Sequence, residues 1–249
     1  MEGLTLEGRV ALVTGGAGGI GSQIVADLTS LGATVAVCDI NEEQAKSVAS
    51  ENDRAVALGV DLSDRDSISA MIETARAELG HVDVLVNNAG WDSVGPFVDS
   101  SPEVWDRLIA INLRAPVQVT QAFLPGMLEA GWGRLVFVSS DAARVGSSGE
   151  AVYAACKAGM IGFGKTIARE SARRGVTSNV VCPGPTQTPL LEDIAAGNEK
   201  LVEALRRSVP LGRLGQPRDV AGVIAFLCSE RAEYLTGQTI SVSGGLTMV

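Results

Sequence analysis

Short β-branched apolar runs alternate with longer amphipathic segments from residue 9 to residue 243, and no other feature constrains the fold of this chain as strongly. Seven runs, "RVALVT", "ATVAVCD", "AVALGVD", "VDVLVNN", "RLVFVSS", "TSNVVCP" and "TISVSG", are apolar on both faces. That is the pattern of strands buried in a parallel sheet. Between them, segments such as "GSQIVADLTSLG" and "SISAMIETARAELG" repeat apolar residues at helical spacing and end near a glycine suited to a left-handed cap. The alternation predicts a single doubly wound α/β domain over residues 1–249, with a mostly parallel seven-stranded sheet and helices on both faces. One Pro- and Gly-punctuated excursion interrupts it at 184–217, "GPTQTPLLEDIAAGNEKLVEALRRSVPLGRLGQP", placed where a flap would cover a site.

Charge narrows the function classes. Twenty Lys and Arg against 29 Asp and Glu give a net charge of −9. Nucleic acid and anionic membranes are bound through excess basic residues, so neither is an expected partner. "MEGLTLEGRV" has no apolar run of signal-peptide length and no later segment has the ~20 apolar residues of a membrane span, which predicts a soluble cytoplasmic protein. Cys38, Cys156, Cys182 and Cys228 are widely spaced, unlike zinc ligands, and are expected to be buried thiols, with no metal site. The one histidine, His81, precedes the fourth strand, whereas ligands of open α/β sheets bind at carboxyl ends. It is expected to be a surface residue, which leaves proton transfer near neutral pH to another side chain.

The first strand runs into "TGGAGGIGSQ", with Thr14 at the strand end and Gly15, Gly19 and Gly21 on the turn and the first helical turn. Glycines there let the backbone approach a pyrophosphate, whose charge a helix N-terminus meets with free N–H groups and its dipole. Alone, such a turn is weak, since an ordinary tight strand-to-helix turn reads the same way. Further along, "NNAG" covers Asn87 to Gly90, Asn112 lies in "INL", Ser140 follows the fifth strand, Tyr153 and Lys157 lie in "AVYAACKAG", and "PGPTQT" covers Pro183 to Thr188. With the Gly-x-x-x-Gly-x-Gly spacing, this ordered set resembles the short-chain dehydrogenase/reductase family, from Gly8 to Gly245. The resemblance implies a Rossmann-type oxidoreductase acting on a CH–OH group.

Residues four apart share a helix face, so Tyr153 and Lys157 reach the same volume. A phenol ionises near pH ~10, too high for a base, unless an ammonium group and an oxidised nicotinamide ring favour the phenolate. The resemblance implies that Tyr153 exchanges a proton with substrate, Lys157 holds the nicotinamide ribose, Asn112 keeps a water relay, and Ser140 hydrogen-bonds the substrate oxygen. A catalytic set this complete weighs against the non-catalytic alternative, a sensor or scaffold that binds the dinucleotide without turnover.

Asp39, at the end of the second strand, would accept hydrogen bonds from the adenosine ribose hydroxyls and repel the 2′-phosphate of NADP, while Gly16, Ile40 and Asn41 offer no neutralising cation. NAD is therefore the expected cofactor; the alternative is that Asp39 merely caps the next helix. By resemblance NAD lies along Gly15, Gly19, Ile20, Gly21, Asp39, Ile40, Asp61, Leu62, Asn88, Ala89, Gly90, Pro183, Gly184, Thr186 and Thr188, with Tyr153 and Lys157. Trp91, Asp92, Arg144, Val145, Glu150 and Leu190 are the candidate substrate residues, and Trp105 reads as core or interface. "NNAGWD", "SSDAARVGSSGEAVYAACK", "VVCPGPTQT" and "SVSGGLTM" look like the branch of the family that contains 2-hydroxycyclohexanecarboxyl-CoA dehydrogenase, which implies an alicyclic β-hydroxyacyl thioester. Arg144, Arg206, Arg207 or Arg213 would then meet the carrier's phosphates. More diffusely the chain is similar to 3-oxoacyl-acyl-carrier-protein reductases, and a secondary alcohol or sugar dehydrogenase stays open. The family also implies a homotetramer.

Overall fold

The computed structural model describes residues 3–195 and 197–249. Seven strands are described: β1 Val10–Thr14, β2 Thr34–Asp39, β3 Ala55–Gly59, β4 Val84–Asn87, β5 Gly133–Val138, β6 Val176–Pro183 and β7 Thr239–Val242. Each falls on one of the seven apolar runs. They form one sheet in the order β3-β2-β1-β4-β5-β6-β7, and every neighbouring pair is parallel. The order reverses between β1 and β4, which opens a crevice at the carboxyl ends of these two strands.

The helices are α1 Gly19–Ser30, α2 Glu42–Ser50, α3 Arg65–Leu79, α4 Pro102–Ile109, α5 Ala115–Ala130, α6 Ala142–Val145, α7 Ala151–Ser171, α8 Pro189–Ala195, α9 Glu199–Ser208 and α10 Pro217–Cys228. Alternation along the strands assigns each side chain to a face. Ala11, Val13, Val35, Val37, Val84, Val86, Val136 and Val138 join Ile24 and Leu28 of α1 and Val220 and Ile224 of α10 in one core layer. Leu12, Ala36, Cys38, Leu85, Leu135 and Phe137 join Ile68 of α3, Val119 and Phe123 of α5 and Met160 of α7 in the other.

Gly32, just past α1, and Gly80, at the end of α3, take φ of 98° and 71°, as the glycine stops predict. All four cysteines are buried and free. His81 sits at the amino end of β4, half-exposed, 3.5 Å from Asp83. Trp105 stacks on Phe97 at 5.6 Å. Among the described residues no helix is long and apolar enough to cross a membrane.

Two features were not predicted. The excursion at 184–217 carries α8 and α9, and a five-residue π-helical turn, Ala110–Arg114, joins α4 to α5.

Candidate active site

The first glycine turn is shaped by its own backbone contacts. A Cβ on Gly21 would overlap the carbonyl oxygen of Gly15, and Gly15 itself has a φ of 63° with its Cβ position 2.8 Å from Ala89 Cα. Asn88 stitches this turn to β4 by donating from Nδ2 to the carbonyls of Thr14 and Gly15, both at 3.0 Å. Thr14 Oγ1 accepts the N–H groups of Asn88 and Ala89 at 3.1 and 3.2 Å. The N-terminus of α1 has no side-chain cap and no acidic residue in its first turn, so its leading N–H groups are free to meet an anion.

That N-terminus opens into a groove of about 800 Å³, within the size range of ligand sites. Asp39 lines it, with one carboxylate oxygen accepting the Ala17 N–H and the other the Asn41 N–H, each at 3.0 Å. Asn41, not Asp39, caps α2, by accepting the Gln44 N–H. Asp61 accepts both the N–H and the hydroxyl of Ser63, at 2.8 and 2.7 Å, and these bonds hold its carboxyl below the usual range. A positive helix end and two ordered carboxylates beyond it fit the phosphates, ribose and adenine of a dinucleotide.

At the other end of the groove, Tyr153 and Lys157 lie one turn apart on α7 beside Ser140. Lys157 is buried, donates to the Val138 carbonyl at 2.9 Å, and its own carbonyl accepts the Ser139 hydroxyl at 2.8 Å. Burial pulls its ammonium down to about 8, opposed by Cys156, Cys182 and Asp92. Whereas the sequence expectation also counts an oxidised nicotinamide ring, the chain's own groups raise the Tyr153 phenol. Burial pushes it above its ordinary range, the charges of Asp92 and Glu150 push it further, and a hydrogen bond with Ser140 pulls back. The lysine Nζ is 5.7 Å from the ring centroid, and the chain alone therefore holds the tyrosine as a proton donor rather than a phenolate.

Asn112 is fully buried in the π turn. It donates to the carbonyls of Trp91 at 2.7 Å and Leu108 at 3.1 Å, and accepts the Trp91 N–H at 3.3 Å. It thereby clamps the loop after β4, with both amide hydrogens on backbone carbonyls.

All the residues expected to bind dinucleotide line the groove, as do Trp91, Asp92, Val145, Glu150 and Leu190; Arg144 is not among the lining residues. Arg206 and Arg207 are both paired with Glu203 at 2.7 Å, and Arg213 with Asp219. Lining residues that sequence reasoning missed include Arg107, whose guanidinium lies 4.3 Å over the Trp91 ring, and Leu191, Leu201, Leu205 and Leu246. Leu201 and Leu205 sit one turn apart in a helix with five charged residues, a spacing that marks an apolar stripe.

A family model described as enoyl-(acyl carrier protein) reductase matches residues 15–247. The chain belongs to the short-chain dehydrogenase/reductase family. This short-chain dehydrogenase/reductase is 40% identical over 245 residues to nodulation protein G of Rhizobium sp. (strain N33), covering 98% of this chain and 99% of that protein. It is 40% identical over 249 residues to the 3-oxoacyl-[acyl-carrier-protein] reductase FabG of Vibrio harveyi, covering 99% and 100%. A solved structure from Beutenbergia cavernae, described as a candidate NAD(P)-dependent gluconate 5-dehydrogenase with NADP at low occupancy, superposes with a TM-score of 0.91 at 33% identity, covering 98% of each chain. The chain is an oxidoreductase acting on CH–OH groups.

Proposed function

We propose that the chain interconverts a β-hydroxyacyl and a β-ketoacyl thioester with NAD(H), and that the acyl group is compact and alicyclic. The observation that carries this reading is one continuous groove. It joins Asp39 and the α1 N-terminus to Ser140, Tyr153 and Lys157, then passes an apolar wall of Trp91, Val145, Leu190, Leu201 and Leu205. The full-length similarity to a 3-oxoacyl-[acyl-carrier-protein] reductase supports a thioester; the ring rests on that apolar wall and on the small residues Gly146, Ser147 and Ser148 that also line the groove.

When bound, the nicotinamide supplies or accepts the hydride. The Ser140 hydroxyl and the Tyr153 phenol donate hydrogen bonds to the substrate oxygen, and Tyr153 gives its proton to the alkoxide that forms in reduction. Lys157, held by the Val138 carbonyl, orients the nicotinamide ribose and restores the proton to the phenol. Residues 184–217 act as the flap, and the protein works in the cytoplasm as a homotetramer through α4, α5 and α7 and the C-terminal strand. The experiment compares kcat/KM with NADH for 2-oxocyclohexanecarboxyl-CoA, acetoacetyl-CoA and cyclohexanone. Both thioesters are expected to exceed the simple ketone, the cyclic one most. A ketone that matches them selects the second reading, a secondary alcohol or sugar dehydrogenase, which the likeness to the gluconate 5-dehydrogenase structure favours.

Asp39 supports NAD over NADP, with its carboxylate held at the end of β2 and Ile40 and Asn41 beside it. Asp39→Ala is expected to raise the NADP/NAD ratio of kcat/KM roughly a hundredfold, about 2.7 kcal/mol, because one change removes both the repulsion and the ribose bonds. Equal losses with both cofactors would reduce Asp39 to a support for Ala17 and Asn41.

A further inference from the structure

Asp92 and Glu150 belong to loops far apart in sequence that meet over the catalytic tyrosine. The loops are clasped by the Gly95 N–H donating to the Gly149 carbonyl at 3.0 Å. Gly149 has a φ of 86°, and a Cβ there would lie 3.0 Å from Val94 Cγ1 and 3.2 Å from Gly95 N. Only a residue without a side chain allows that approach. Both carboxyl groups line the groove beside Tyr153. Among the described residues that line the groove, the only cations are Lys157, behind Tyr153, and Arg107, stacked on Trp91.

We propose that Asp92 and Glu150 act as a charge filter at the reacting end of the groove, admitting a neutral β-keto ester or thioester and rejecting the free β-keto acid. This deepens the thioester reading and rests on it. In a β-keto acid the carboxylate carbon is two bonds from the keto carbon. Once the keto oxygen is against Ser140 and Tyr153, the carboxylate has to share a partly desolvated volume with the pair. An ester presents only an uncharged carbonyl there. Tyr153 reports the closeness, since the charges of both residues act on it.

The filter depends on protonation. Burial pushes Asp92 up to about 6; its Ser93 N–H bond and the Lys157 charge oppose the rise, and the Glu150 charge and hydrogen bond reinforce it. Below that pH Asp92 takes up a proton and its repulsion fades, while the substrate acid stays ionised. The groups facing the pair are Tyr153 and Lys157 on α7 and the Ser93 N–H on the loop after β4.

The test measures kcat/KM with NADH for methyl acetoacetate and for acetoacetate, or competitive inhibition constants where turnover is too slow. It uses the wild-type chain, Asp92→Asn, Glu150→Gln and the double variant. At pH 8 the wild type is expected to prefer the ester by roughly a hundredfold, and each neutralisation to cut that preference about tenfold. Lowering the pH to 5.5 should cut it in the wild type and leave the double variant unmoved. A wild type that treats ester and acid alike, prefers the acid because Lys157 dominates, or keeps its ratio in all three variants overturns the filter. Both compounds lack a carrier, so this outcome is separate from that of the thioester panel.

Discussion

Tyr153→Phe is expected to bind NADH as the wild-type chain does and to reduce a β-ketoacyl thioester at least a hundredfold more slowly. The substitution keeps the ring, partly buried on α7 beside Lys157, and removes only the oxygen that carries the proton. Positioned proton transfer contributes about 10²–10⁴-fold, roughly 2.7–5.4 kcal/mol at 1.36 kcal/mol per tenfold. NADH fluorescence titration and initial rates separate the two effects, and a variant that keeps more than about a tenth of wild-type kcat, a loss below ~1.4 kcal/mol, would exclude the role. The pH dependence carries the same assignment with a definite sign. Because burial, Asp92 and Glu150 raise the phenol, its protonated form, the acid needed for ketone reduction, persists across neutral pH. Alcohol oxidation needs the deprotonated form, so its kcat/KM should climb as pH rises above neutrality.

Gly21→Ala is expected to lower both stability and dinucleotide affinity. The new Cβ would overlap the Gly15 carbonyl oxygen and lie 2.8 Å from Gly15 C and 2.9 Å from Asn88 Nδ2, so the turn and the Asn88 stitch must shift together. Overpacking of this kind costs typically 1–3 kcal/mol and occasionally more, and backbone has less room to give than a side chain. A loss of about 3 kcal/mol corresponds to a fall in Tm of roughly 6–12 °C for a chain of this size. Gly18→Ala is the control, because its Cβ would meet only the Gly15 carbonyl oxygen at 3.4 Å. Thermal melts and NAD titrations of the two variants should diverge; equal behaviour would show that the turn has slack.

Most of the strands were legible because they are apolar on both faces, as Val84, Leu85 and Val86 show by packing into opposite core layers, whereas β7 packs only Ile240 and Val242. The Tyr153–Lys157 pair and the glycine turn were legible for a related reason, since spacing along a helix or a turn is local. The π turn around Asn112 was not, because an extra backbone residue in a helix leaves the apolar pattern nearly unchanged. The burial and the acids of another loop that raise the Tyr153 phenol were not legible, because sequence shows only the lysine four residues away. Asp92 and Glu150 meet only through the close approach at Gly149, a tertiary contact without a local signature. Arg206 and Arg207 read as candidate phosphate contacts or as surface-paired arginines, and Glu203, one helical turn earlier, holds both.

The most direct measurement follows the hydride itself. NADH deuterated at both C4 positions is mixed with the wild-type chain and 2-oxocyclohexanecarboxyl-CoA, and the product is analysed by mass spectrometry as the absorbance of NADH falls. The account predicts one β-hydroxyacyl thioester per NADH consumed, carrying a single deuterium at the carbinol carbon. Absence of NADH consumption, or a product without deuterium at that carbon, would contradict it.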